Sequence, residues 1–270
     1  MTRAWQTIQA RWKRAVIDRL LFDSILKRFM SNNDNLFAIW EQNHLRRLLR
    51  DLAVDCVFDV GANCGQYAQM LRHKAGFQGL IISFEPIPSL AAELRELASS
   101  DPNWVVEESA LGRHDGRHSF QVMRESEFSS LSIPVQGGVS MVGENITISE
   151  KLEVSVSTLA RAYDRLKLLH GFQRPFLKLD TQGLDVAIVS ESPQCLRNFL
   201  GLQTELAIKA LYQDSVDYRE ALRVYEGLGY VLSALVPNNA GHYPLLLECD
   251  GILIRDDLIP SGASPLSISP

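Results

Sequence analysis

The chain predicts a doubly wound, Rossmann-like α/β fold: a seven-stranded, mostly parallel sheet with an antiparallel last strand, preceded by N-terminal helices. Three observations predict it. The stretch Val57-Phe58-Asp59-Val60-Gly61-Ala62-Asn63-Cys64-Gly65 carries an apolar run into a carboxylate and a glycine-bearing turn. A second apolar run ends in Ser83-Phe84-Glu85-Pro86, with its acid 20 positions after Gly65. From Cys56 onward short apolar strands alternate with helices, a rhythm that implies a parallel sheet with right-handed crossovers. Two consecutive strands joined by a hairpin close the chain, which inserts one antiparallel strand into the sheet.

Each element has a local cause. Residues 1–30 carry Trp5, Ile8, Trp12, Val16, Leu20 or Leu21 and Ile25 at helical spacing, an apolar stripe beside a basic face. Ser31-Asn32-Asn33-Asp34-Asn35 is a polar break with capping chemistry. A helix over 36–52 follows, with Phe37, Trp40, His44, Leu45, Leu48 and Leu49 inward. The first strand is 56–60 and its helix 65–74; the second strand is 80–84 and its helix 89–98, opened by Pro88. The third strand is 104–108. Glycines at 112, 116, 137, 138 and 143 interrupt the rhythm, leaving short strands at 119–123 and 152–156 and a loop over 125–150 long enough to wall a substrate. Helix 158–168, strand 175–180, helices 184–190 and 194–199, strand 202–207 and a helix near 216–227 restore it. The chain ends with 230–235, a turn-rich 237–244, then 245–247 leading through Asp250 to 252–255. The organisation is a basic amphipathic segment at 1–50, one domain at 51–257 and a Pro- and Ser-rich tail at 258–270, where fraying concentrates.

Bulk properties narrow the function. A chain of 270 residues builds one large core with a short appendage. The net charge of -5 speaks against a dedicated nucleic-acid binder. Four scattered cysteines, with no C-x-x-C pair, fit reduced thiols in a cytoplasm. No stretch of apolar residues is long enough to span a bilayer. Charge is uneven, however: residues 1–30 hold seven Lys or Arg against two Asp, a net of +5, which leaves -10 on the other 240. That segment suits either packing on its own domain or a dimer mate, or peripheral contact with an anionic membrane surface at the inner face.

The turn after the first strand is D-x-G-x-x-x-G, not the dinucleotide order G-x-G-x-x-G. Glycines let a backbone approach a ligand, and an acid at the end of the second strand takes ribose hydroxyls. The aspartate sits where a pyrophosphate would otherwise be welcomed, and a cationic, phosphate-free ligand suits it better. Taken alone, the turn admits a dinucleotide, a sulfonium methyl donor or a plain αL turn between strand and helix.

Further motifs add to it: Ala110-Leu111-Gly112, Ser129-Ser130-Leu131, Phe176-Leu177-Lys178-Leu179-Asp180-x-x-Gly183-x-Asp185 and Gln203-Thr204-Glu205. With the turn, Phe84-Glu85-Pro86 and the closing hairpin, the chain resembles the class I S-adenosylmethionine-dependent methyltransferases, and in finer detail their FkbM branch. The resemblance spans roughly 54–254. It implies O-methylation of a hydroxyl on a sugar, glycolipid or polyketide-type acceptor. It also implies that Asp59 or the amides of Gly61, Asn63 and Gly65 hold the methionine end of the donor, that Glu85 accepts from the ribose hydroxyls, and that Ser109 and Ala110 line the adenine slot. Two departures stand out. Asp185 replaces a glutamate of the family pattern, shortening its reach by one methylene, and Gln182 stands where an acid is frequent, removing a charge from the expected rim of the site.

An alcohol acceptor needs a base or a metal to draw off its proton. Asp180, at a strand end beside the donor, is the first candidate, with Lys178 two residues earlier on the same sheet face. Glu205 on the next strand is expected to act with Asp180, either as a hydrogen-bonding pair or as two oxygen ligands for Mg²⁺. The other reading is that the two acids only cap helix ends and order loops. His242, in Asn238-Asn239-Ala240-Gly241-His242-Tyr243, is the histidine expected at the rim as an acceptor contact; His114 and His118 flank a turn. A nicotinamide-dependent oxidoreductase is the competing reading. Tyr163 and Lys167 have the Tyr-x-x-x-Lys spacing, but without the glycine fingerprint they read as a solvated helix face. Nucleic-acid methylation would call for a basic face or a Pro-Pro-Tyr/Phe clamp after the fourth strand, where Asp180-Thr181-Gln182-Gly183 stands instead. A catalytically inactive nucleoside-binding module of the same fold is the third alternative.

Overall fold

The computed structural model describes residues 36–135, 147–237 and 245–259. The chain divides into two compact units, residues 1–41 and 42–270. Helix α1 (Leu36–Asp51) opens the described part; Leu45 and Leu49 are buried, whereas Phe37 and Trp40, placed inward by periodicity, are exposed. The strands in chain order are β1 (Cys56–Val60), β2 (Leu80–Phe84), β3 (Trp104–Glu107), β4 (Ala110–Leu111), β5 (Gly116–Met123), β6 (Ile148–Ser157), β7 (Pro175–Leu179), β8 (Gly201–Ala207), β9 (Tyr230–Pro237) and β10 (Glu248–Arg255). Between them lie α2 (Gln66–Met70), which runs on as a π-helical turn at Leu71–Ala75, then α3 (Pro88–Ala98), α4 (Leu159–His170), α5 (Asp185–Ser190), α6 (Pro193–Leu196) and α7 (Tyr218–Gly227).

Seven strands form the main sheet in the order β3-β2-β1-β7-β8-β10-β9. Every neighbouring pair from β3 to β8 is parallel, and β10 runs antiparallel to both β8 and β9. This is a doubly wound, mostly parallel sheet whose order reverses between β1 and β7. The last strand is one continuous element through Asp250, not two pieces, because register with Glu205 and Val236 holds residue 250 in both ladders. Residues 245–247 lie outside it.

Period-2 alternation gives the sheet two buried faces. Phe58, Val60, Ile82, Phe84, Leu177 and Leu179 face one cluster, closed by Tyr163, Phe172 and Phe199. Phe58 sits edge-on to Phe172 and Phe199 at 5.4 and 5.3 Å. Val57, Ile81 and Phe176 face the other cluster, with Leu45, Ala68, Leu71 and Leu94. Helix starts follow their capping residues. Thr158 accepts from the Arg161 amide to open α4, Asp217 accepts from the Arg219 amide to open α7, and Gly171 ends α4 at φ 72°.

The interruption between β3 and β7 is a small sheet of its own, ordered β4-β6-β5. Its hairpin strands are longer than the predicted 119–123 and 152–156, because the β5–β6 ladder continues outward from Gly116↔Val156 to Met123↔Ile148. A short 3-10 turn, Ser126–Phe128, follows β5. Tyr163 is not on a solvated face: it is 4% exposed, packed on Phe58 and Phe199, with its hydroxyl bonded to Lys167 at 3.0 Å.

Candidate active site

The site lies at the carboxyl ends of β1, β2 and β7, where the strand order reverses. Parallel register sets Ser83, Asp59, Lys178 and Gln203 side by side on one face of four neighbouring strands. This buried polar row is internally bonded. The Trp104 indole donates to Ser83 Oγ at 3.0 Å, and the Ser83 hydroxyl donates to Asp59 Oδ2 at 3.1 Å. The Lys178 ammonium stands 3.4 Å from Asp59 Oδ1, which has no well-formed hydrogen bond, and 3.4 Å from Asp180 Oδ2. It also lies over the Tyr67 ring, whose hydroxyl donates to Gln203 at 3.0 Å. Burial raises the Asp59 carboxyl above its usual range, opposed first by Lys178. Burial alone would lower Lys178; the charges of Asp180 and Asp59 outweigh it and hold the ammonium above its ordinary value. Asp59 is therefore sealed beneath the turn with no exposed surface.

One step beyond this row the same face presents Glu85, Gly61 and Asp180. Gly61 has φ 77°, and a Cβ there would lie 2.0 Å from the Asp180 carbonyl oxygen, so only glycine lets β1 and β7 close here. The turn's amides are largely spent internally. Gly61 and Ala62 both donate to Phe84 O at 3.1 and 3.0 Å, Asn63 donates to Glu85 Oε2 at 2.9 Å, and Gly65 donates to Ala62 O at 2.8 Å. Asn63 adopts φ 47° to do so, a conformation Asn tolerates better than most residues. Glu85 Oε1 accepts from the Ile87 amide at 2.8 Å. Burial is the largest influence on Glu85, pushing it up to about 7 against the pull of the Ile87 and Asn63 amides. Each of its oxygens keeps a further acceptor position. Ser109 lies two residues past β3, half-buried, its amide bonded to Glu107 O at 2.9 Å; Ala110 belongs to β4 and is buried against Val156.

At the end of β7, Asp180 is 41% exposed at its side chain while Lys178 beside it is 10% exposed. Asp180 and Glu205 are joined by Gln182, whose amide donates to Asp180 Oδ1 at 2.7 Å and to Glu205 Oε2 at 3.2 Å. Gln182 is thus not at the rim but 6% exposed beneath it. Glu205 also shares a hydrogen bond with Glu248. Burial, then the Glu248 charge, raises Glu205 well above the carboxylate range, and burial pushes Glu248 up to about 7. A hydrogen bond between two carboxyl groups requires that one of them carry a proton. Asp185 is a structural anchor: it accepts from the Thr181 amide and hydroxyl on one oxygen, and from Thr204 Oγ1 and the Glu205 amide on the other.

Among the described residues no three His, Cys, Asp or Glu side chains gather as ligands for a metal ion. A donor, the Gln182 amide nitrogen, lies between Asp180 and Glu205 where Mg²⁺ would require acceptors. The donor set does not fit the ion. His242 and residues 1–30 lie outside the described residues. No described helix is long and apolar enough to cross a membrane.

The segment after β5, within the loop expected over 125–150, ties the two sides together. Ser126 donates to Asn63 Oδ1 at 2.9 Å, and Ser130 Oγ contacts the Thr181 and Gln182 carbonyls at 2.9 and 3.0 Å. Ser132 donates to Asp214 at 2.7 Å, and Tyr212 donates to the Phe128 carbonyl at 2.8 Å. Ser83, Trp104 and Ser126 were missed because each matters through a partner distant in sequence; only Ser129-Ser130-Leu131 had signalled the segment.

The fold and the strand-end acids together define a doubly wound α/β scaffold with its candidate site where the strand order reverses. Among solved structures, the chain is similar to fibrillarin from Aeropyrum pernix with bound S-adenosylmethionine: 12% identity, 74% of this chain and 66% of that one, TM-score 0.43. It is similar to the methyltransferase FkbM from Methylobacillus flagellatus at 12% identity, over 74% of this chain and 43% of that one, TM-score 0.46. It is also similar to the magnesium protoporphyrin IX methyltransferase of Synechocystis at 8% identity, over 83% and 86%, TM-score 0.41. No family model and no curated protein sequence matches the chain.

Proposed function

We propose that the protein binds S-adenosylmethionine in this crevice and methylates a hydroxyl group, with Asp180 as the base. The observation that carries the reading is the state of the glycine turn. Four of its five amides, at 61, 62, 63 and 65, are already committed within the protein. A dinucleotide's pyrophosphate needs such amides free. What the crevice offers is acceptors: Glu85 for a ribose diol, and Asp180 beyond it. Its buried ammonium, Lys178, is engaged by Asp59 and Asp180. That balance suits a cationic, phosphate-free nucleoside. The donor then rests on the turn above Asp59, which acts through Lys178 and not by direct contact.

Transfer proceeds by in-line displacement. The acceptor oxygen forms a bond to the methyl carbon as the carbon–sulfur bond breaks, its electron pair leaving on sulfur, and the hydroxyl proton passes to Asp180. The donor's sulfonium supplies the activated carbon, so alignment and proton removal are the protein's share. Asp180 suits proton removal because it is exposed and held by Lys178 and Gln182, whereas Glu205 is hydrogen-bonded to Glu248 and raised well above the carboxylate range by burial. The resemblance to the FkbM branch supports a sugar, glycolipid or polyketide-type acceptor, and the net +5 of residues 1–30 supports an acceptor presented at an anionic membrane surface. Vesicle partitioning of the full chain against one lacking residues 1–30 tests the latter; equal partitioning rejects it.

The test of the main reading is calorimetry with S-adenosylmethionine, its demethylated product and NADH. A trideuteromethyl donor, incubated with a panel of hydroxylated glycosides and glycolipids, then reports transfer by mass. Binding of NADH without binding of either sulfur nucleoside rejects it. Asp180→Asn should lower turnover at least about 100-fold with donor affinity retained; near-normal turnover places the base elsewhere.

A further inference from the structure

We propose that Gln182 is the positioning residue of the acceptor side: its carboxamide clamps Asp180 to Glu205 and aims the Asp180 carboxylate into the crevice. This rests on the reading of Asp180 as base.

Three independent observations converge on Gln182. Its backbone has φ 54°, the left-handed region that favours glycine, in a residue that carries a long side chain. That side chain is buried, and its Oε1 has no hydrogen-bond partner. Its nitrogen, in contrast, uses both hydrogens, on Asp180 Oδ1 and on Glu205 Oε2. A residue selected for stability alone has no reason to combine a strained backbone with an orphaned buried oxygen. Both costs are explained if the conformation exists to bring one amide between two acids.

The surroundings hold that conformation. Ser130, itself buried, contacts the carbonyls of Thr181 and Gln182, and Asp185 accepts from the Thr181 amide and hydroxyl on the preceding residue. Gly183, at φ 100°, lets the chain pass Tyr212 and Ser215, where a Cβ would come within 2.9 Å of both. Asp180 is then gripped at both oxygens, by Gln182 on Oδ1 and by Lys178 facing Oδ2. Both carboxylate oxygens thus have a partner, although Asp180 is the exposed member of the group. A glutamate at 182 would replace two donors with a further acid.

The test uses the full-length protein in two variants. Gln182→Gly relieves the backbone and removes the amide; Gln182→Leu keeps bulk and removes both donors. The readouts are the thermal midpoint, calorimetric affinity for S-adenosylmethionine, crystallographic position of Asp180, and turnover on the best hydroxyl acceptor of the wild-type protein. Gln182→Gly is expected to hold or raise the midpoint and leave donor affinity unchanged. Its turnover is expected to fall about 100-fold, as a misplacement of about 1 Å suffices to cause. Crystals of both variants should show the Asp180 carboxylate turned from its present position. An unfolded Gln182→Gly overturns the proposal, since a clamp dispensable to the fold must leave the fold intact. So does a Gln182→Leu protein with Asp180 unmoved or turnover retained. If the wild-type protein binds donor but methylates no alcohol, the O-methylation reading falls, and the Asp180 position in Gln182→Leu crystals still decides the role of Gln182.

Discussion

Donor affinity should rise about tenfold between about pH 6 and pH 8, and Glu85→Gln should abolish that rise. Glu85 is 4% exposed, and burial pushes its carboxyl up to about 7. The amides of Asn63 and Ile87 occupy one position on each oxygen, leaving one each for the ribose hydroxyls. Two hydroxyl donors need an acceptor-only carboxylate, so the donor binds the ionised form. With a carboxyl near 7, roughly one molecule in eleven is ionised at pH 6 and ten in eleven at pH 8. The ratio is about tenfold, or about 1.4 kcal/mol. The sign follows from linkage: binding releases a proton, so affinity increases with pH. Titration calorimetry in two buffers of different ionisation heat measures the affinity and the released proton, about half per site near pH 7. The Gln variant serves as the control for the donor's own titrating amine. A flat wild-type affinity, or the same slope in both proteins, would refute the assignment of the ribose to Glu85.

The empty protein should itself lose stability as pH rises from about 4.5 to about 7, because Glu85 and Glu248, both held up near 7, bind protons in the folded state that the unfolded chain has released; the upper bound is roughly 3 kcal/mol per carboxyl, read from urea midpoints at both ends of the range. Gly61→Ala should destabilise by at least about 2 kcal/mol in urea unfolding and eliminate donor binding, since its Cβ would strike the Asp180 carbonyl. Phe58→Ala should cost about 3–5 kcal/mol by the same measurement, because the ring is fully buried against Phe172 and Phe199. Ser126→Ala should weaken donor affinity without lowering the thermal midpoint by more than a few degrees, as its bond to Asn63 Oδ1 supports only the turn.

By itself the sequence determined the strand–helix rhythm, the glycine turn and the acids at strand ends. These are encoded in local terms: alternation of apolar residues, capping side chains and backbone freedom at Gly61 and Gly65. Asp59, Glu85 and Asp180 were legible for the same reason, each closing an apolar run. Register across strands is not local, and it decided everything that connects them. Ser83, Asp59, Lys178 and Gln203 lie between 24 and 144 positions apart in the chain yet form one bonded row, because parallel ladders align them. Burial likewise separated Asp59, sealed under the turn, from Asp180, open to the crevice, though both read as strand-end carboxylates. Gln182 shows the limit most clearly. In sequence it is a missing charge; in the fold a left-handed backbone turns its amide inward between Asp180 and Glu205. Side-chain direction at a turn depends on dihedral angles and on what packs against them, and only the assembled tertiary structure sets both.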